Sequence, residues 1–125
     1  MVIGIGIDLV ETARVERALA RFGARFVGKL MDPAEAAALP AALPERAQAL
    51  ALAVAGKEAA SKALGTGWSQ GVRWRDVVVA AGPPPSVSLH GRAFEVACRR
   101  GSSGRSRVRL SREGPLVVGE FWLLA

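Results

Sequence analysis

At 125 residues, half of them hydrophobic, the chain has the size and composition of one globular domain spanning 1–125 and is too apolar for a disordered segment. No run reaches the roughly 20 apolar residues that a bilayer demands, and the first residues lack a charged leader with a cleavage pattern, so a cytoplasmic protein without membrane contact is expected. Seventeen Lys and Arg against eleven Asp and Glu leave a formal charge of +6, which favours polyanionic partners without choosing among nucleic acid, phosphorylated cofactors and acidic proteins.

In chain order, Met1 to Asp8 alternates around glycines and β-branched residues and predicts a strand that ends at Asp8. Thr12 is a cap candidate for a helix over ARVERALARFGARFVGKL. There Val15, Leu19, Phe22, Phe26 and Leu30 recur at helical spacing, and Arg14, Arg17, Arg21 and Arg25 lie on the other side. Gly23 weakens this helix without having to end it. Asp32 and Pro33 fit the cap and first turn of a short helix running to about Leu39. An alanine-rich stretch from Glu45 to Leu64, stopped by Gly65, predicts the longest helix. Beyond a glycine-rich loop, Val77 to Ala81 and Ser86 to His90 read as short strands, and Gly91 to Arg100 as a helix. Val108 to Ser111 and Leu116 to Leu124 read as two more strands, joined through Arg112 to Pro115. The expected class is α+β, an antiparallel sheet packed on one long helix.

Two motifs carry the chemistry. GIGIDLVE, from Gly4 to Glu11, places a carboxylate, Asp8, at the end of an apolar strand. GKEAASKALGTG, from Gly56 to Gly67, places Glu58 and Lys62 four apart on a helix, continuing a row begun by Leu50 and Val54. Taken alone, such a pair is an exposed helical ion pair worth about 0.3–0.5 kcal/mol, Lys57 is an ordinary solvated charge, and Asp8 caps the next helix. The apolar row argues for more, because carboxylates on an apolar face need a partner. Two hard carboxylates beside a lysine suit a metal ion that carries a phosphorylated substrate. The glycines match neither a dinucleotide fingerprint nor a Walker-type loop. Cys98, the only cysteine, reads as a helix packing residue, and His90, the only histidine, as a structural one.

GIGIDLVETARVE together with KEAASKALGTG resembles the holo-acyl-carrier-protein synthase family, the small type of 4′-phosphopantetheinyl transferase. The likeness extends through RFGARFVGKLMDPAE, SVSLHGRA and the closing RVRLSREGPLVVGEFWLL. It implies the fold of that family and transfer of the phosphopantetheine arm of coenzyme A to a serine of apo acyl carrier protein, releasing adenosine 3′,5′-bisphosphate. By the same resemblance Asp8 and Glu58 match Mg²⁺ ligands, and Lys62 the lysine that meets the pyrophosphate. Ser61, Gly65, Pro85, Ser111 and Arg112 fall at coenzyme A-binding positions. Arg14, Arg17, Arg21 and Arg25 match the surface that docks the acidic carrier protein. A homotrimer with sites between subunits is implied, with no nucleic acid partner. Three departures from the family pattern stand out: Ala53 and Val54 stand where arginine and phenylalanine are usual, Arg112 where histidine is usual, and GPPPS replaces Gly-x-Pro. The first two motivate a rival reading, a weak or inactive homologue that binds carrier protein or coenzyme A without turnover. A basic nucleic-acid-binding module would explain the charge but neither motif.

Overall fold

The alternation of the first strand decides where the long helix can lie. In the computed structural model, which describes residues 1–125, β1 (Val2–Glu11) turns Gly4, Gly6 and Asp8 to one face and Ile5, Ile7 and Leu9 to the other. Next come α1 (Thr12–Phe22), α2 (Ala24–Leu30), α3 (Pro33–Ala37) and α4 (Leu43–Leu64). A 3-10 turn (Trp74–Asp76), β2 (Val77–Ala80), β3 (Ser86–Leu89), α5 (Gly91–Arg99), β4 (Ser106–Glu113) and β5 (Leu116–Leu124) complete the chain. The expected α+β class is found, with its antiparallel strands divided into a three-stranded sheet, β1-β5-β4, and a hairpin of β2 and β3. No helix is long and apolar enough to cross a membrane.

Helix α4 lies on the glycine face. Ala47, Ala51, Ala55, Ala59 and Ala63 form one i, i+4 row, all buried, and this smooth alanine ridge sits directly on the sheet. A Cβ on Gly4, Gly6 or Gly119 would collide with the Ala63, Ala59 or Ala55 carbonyl respectively. The glycines of the first motif thus serve close backbone approach, which no larger residue permits. Asp8, opposite Gly119 in the β1–β5 ladder, is the next helix-facing position after Gly6, and since β1 runs against α4 it lies toward the turn that carries Glu58. One core cluster packs Phe121, Leu123, Val77 and Leu89 around the second half of α4. Another packs Val15, Leu19, Leu30 and Val117 around the first half. Because α4 is enclosed from several sides, it is apolar almost all round and not along a single stripe.

Several expectations are corrected. β1 runs past Asp8 to Glu11, because β5 pairs with it as far as Leu116, so Asp8 lies within a strand and caps nothing. Thr12 is the first residue of α1 and no side chain caps that helix; its N–H instead donates to the Pro115 carbonyl. Gly23 adopts φ 55° and ends α1, which rotates α2 out of line and leaves Phe22 46% exposed, outside the apolar row. Cys98 is exposed on α5 and packs into no core. The Asp32 cap is found as expected, in a reciprocal capping box with Glu35.

Candidate active site

Three side chains from the two motifs converge where β1 crosses α4. Lys62 leaves α4 and its Nζ donates to Asp8 Oδ1 at 2.7 Å and to the Ile7 carbonyl at 3.1 Å. The Lys62 side chain is 51% exposed and that of Asp8 18%, so the contact is a wet one of modest energy. This corrects the pairing expected from spacing: Lys62 bridges to the strand and not to Glu58, because the glycine seat brings β1 within its reach.

Glu58 stands one turn before Lys62, partly exposed. Partial burial, then the charge of Asp8, pushes its carboxyl above the ordinary carboxylate range, with Trp68 and Lys62 pulling weakly the other way. The Trp68 indole N–H is buried and has no acceptor at hydrogen-bonding geometry. Asp8 and Glu58 share the wall of a cavity of about 430 Å³ with Arg14, Val54 and Phe26. Two carboxylates on one wall, with the Asp8 charge raising the cost of ionising Glu58, are a donor set for a hard cation. No cluster of three or more His, Cys, Asp or Glu exists, so such an ion would draw its other oxygens from substrate and water, the habit of Mg²⁺.

The remaining candidates are placed as follows. The Ser61 hydroxyl is buried and donates to the Glu58 carbonyl at 2.8 Å, so it faces the helix interior. Gly65 ends α4 at φ 81°, the left-handed conformation glycine accepts most readily. Pro85 lies in the turn between β2 and β3. Ser111 and Arg112 pair with Val118 and Val117, which puts β5 between them and β1. None of these five lines the cavity of Asp8 and Glu58. Arg14, Arg17, Arg21 and Arg25 are all exposed; Arg14 reaches the cavity wall, and Arg25 lines an adjoining hollow with Phe22, Phe26 and Lys29. His90 pairs its ring Nε2 with the Ser88 hydroxyl at 2.9 Å, outside the cavity.

Sequence reasoning missed one charged pair beside the site. Lys57, read as a solvated charge, is fully buried, and its Nζ meets Glu35 at 3.1 Å, the Trp74 carbonyl at 3.0 Å and the Val77 carbonyl. Glu35 also accepts from the Val79 N–H at 2.9 Å. The capping box was legible as a signal for α3, but nothing local announced that its glutamate would reach α4.

A sequence model described as the 4'-phosphopantetheinyl transferase superfamily matches residues 4–114. The holo-[acyl-carrier-protein] synthase of Desulfovibrio desulfuricans is 44% identical over 99 residues, covering 78% of this chain and 77% of that protein. The crystal structure of the Neisseria meningitidis holo-[acyl-carrier-protein] synthase superposes with a TM-score of 0.84 at 29% identity, over 100% of both chains. The Bacillus anthracis synthase, solved in complex with coenzyme A (3',5'-ADP), superposes with a TM-score of 0.74 at 25% identity, over 98% of this chain and 96% of that one. With the family's fold over its whole length and both motifs folded into one cleft, the chain belongs to the holo-acyl-carrier-protein synthases of the 4'-phosphopantetheinyl transferase superfamily.

Proposed function

We propose that this chain transfers the 4′-phosphopantetheine arm of coenzyme A to a serine of apo acyl carrier protein. Asp8 and Glu58 on the wall of one cleft, with Lys62 hydrogen-bonded to Asp8, carry this reading. The serine oxygen bonds to the pantetheine-side phosphorus, the bridging P–O bond of the pyrophosphate breaks, and adenosine 3′,5′-bisphosphate leaves. Asp8 and Glu58 would hold Mg²⁺, which would supply charge neutralisation for the pyrophosphate. Lys62, already held by Asp8 and the Ile7 carbonyl, is placed to share that charge without reorganising. The serine proton leaves to Glu58 or to a water on Asp8.

Residues 1–125 act as one cytoplasmic domain in this reading, and the docked polyanion is the acidic carrier protein, held on Arg14, Arg17, Arg21 and Arg25. A homotrimer with shared sites belongs to it as well. Two features support that assembly. The sheet face turned away from α4 exposes Ile5, Ile7 and Leu9, at 58%, 55% and 59%, an apolar strip of the kind that marks an interaction surface. The expected coenzyme A contacts at Pro85, Ser111 and Arg112 stand outside the cavity of their own chain, as they would if they served a neighbour's. The test is to incubate the protein with coenzyme A, Mg²⁺ and apo carrier protein and to weigh the carrier by mass spectrometry. The expected result is a mass gain of one phosphopantetheine that EDTA abolishes. No gain, with a competent control enzyme succeeding, would overturn the enzyme reading and leave the inactive homologue that Ala53 and Arg112 motivate as its rival.

A further inference from the structure

Lys29, Arg73 and Arg75 surround an open hollow of about 570 Å³ that is also lined by Trp68, Val72 and Trp74. It shares no residue with the cavity of Asp8 and Glu58. Its apolar wall is rigid: the two indoles stack, centroids 4.0 Å apart and planes 19° from parallel, and the Trp74 carbonyl accepts from the buried Lys57 at 3.0 Å. Arg75 is held as well. Its Nε donates to the Gly28 carbonyl at 3.0 Å and its Nη2 donates to the same oxygen, which leaves the other guanidinium N–H groups for a partner. Arg73 lies 3.4 Å from Asp76, yet its side chain stays 76% exposed. Asp76 is buried and accepts the Arg73 backbone N–H at 3.2 Å, so it offers the surface little negative charge. No carboxylate lines the hollow, and cations gathered in this way repel one another until an anionic partner arrives. Lys29 also lines the neighbouring hollow with Phe22, Arg25 and Phe26, so the positive surface continues from the arginines of α1 and α2 to the stacked indoles.

We propose that this hollow is a second docking point for the carrier protein: it takes an acidic segment other than the one that meets the α1 arginines. Carboxylates of that segment pair with Arg73, Arg75 and Lys29, and an apolar side chain between them rests on the indoles. This rests on the reading that the α1 arginines dock the carrier. The cations select a polyanion, the apolar wall selects a polypeptide over a free phosphate, and the continuity through Lys29 and Arg25 selects the partner. Single-stranded nucleic acid, which cations and aromatic rings also suit, is the poorer fit, because the stack takes up one face of each ring.

Calorimetric titration with apo carrier protein, without coenzyme A so that no transfer occurs, measures docking alone. Arg73→Glu should weaken carrier binding by about 5- to 20-fold and Arg73→Gln by about 2- to 5-fold, the scale of one exposed charge facing a charged partner. Arg73→Lys keeps the charge and should stay within about twofold of wild type. Arg99, exposed in the last turn of α5 and lining neither hollow, supplies the control for net charge. Arg99→Glu should also stay within about twofold, which separates contact from the long-range field. If Arg73→Glu disturbs the fold by circular dichroism, Arg73→Gln carries the test. Wild-type affinity in Arg73→Gln and Arg73→Glu, with Arg21→Glu weakened, overturns this inference alone, as does equal weakening in Arg73→Glu and Arg99→Glu. Loss of binding to a single-stranded oligonucleotide, with carrier affinity kept, overturns the choice of occupant. No carrier binding by the wild type, or no weakening in Arg21→Glu, overturns the α1 docking reading and this inference with it.

Discussion

Five residues apart on one helix, Lys57 and Lys62 each meet a carboxylate, and the two pairs are built for opposite purposes. Lys57 is sealed, with Glu35, two carbonyls and the capping box of α3 around it. Burial lowers its pKa, and the Glu35 carboxylate only partly offsets that, so the pair persists because every polar atom is answered. Asp8 stands on a cavity wall with Lys62 bonded to it, and Glu58 on the same wall meets Asp8 as a like charge. A closed charge cluster makes a scaffold, whereas one with carboxylate capacity to spare makes a site.

The largest break in this contrast comes from opening the closed pair. Lys57→Met should destabilise the protein by about 3–5 kcal/mol, because Glu35 is left buried and uncompensated; urea unfolding measures it. Pairing Lys57→Met with Glu35→Leu should recover much of that loss, and no recovery would mean the cluster acts through more than its charges.

Emptying the open cluster should spare the fold and remove the chemistry. Asp8→Ala and Glu58→Ala should each lower the transfer rate by about 10²- to 10³-fold, the scale of losing a preorganised electrostatic group, with circular dichroism unchanged. Wild-type transfer by either variant would remove that residue from the ligand set. Lys62→Ala should lower kcat more than it moves the carrier KM.

The smallest effect sharpens the contrast by its sign. The folded-state pKa of Glu58 is raised, so the native protein binds more protons than the unfolded chain just above the group's ordinary value of 4.5. Stability contributed at low pH is therefore lost as pH rises through that window. Glu58→Gln should abolish this fall and raise the Tm of the metal-free protein at neutral pH by about 1–3 °C, while transfer is lost. A lower Tm for the variant would show that Glu58 is relaxed in its place.

Much was legible before folding. Gly65 stopped α4, Asp32 and Pro33 opened α3, and the β5 strand appeared with its expected bounds, each from local backbone preference or periodicity. Gly23 ends α1 where its propensity alone only weakens a helix, because intrinsic propensity does not say whether neighbouring packing will support a continuous helix. Trp68, a large aromatic among loop glycines, could have drawn notice, but neither its stack on Trp74 nor its orphan N–H follows from the segment itself.

By itself, the order of residues determined the kinds of elements, the helical row that carries Glu58 and Lys62, and the family resemblance that joins them to Asp8. These follow from short-range periodicity, backbone freedom and motif order. Only tertiary structure decided which lysine is buried and which is exposed, that Lys62 pairs with Asp8, and that the strand glycines seat a helix. Charge partners and burial depend on residues that packing brings together, 22 positions apart for Lys57 and Glu35 and 54 for Lys62 and Asp8, and no local pattern records those distances.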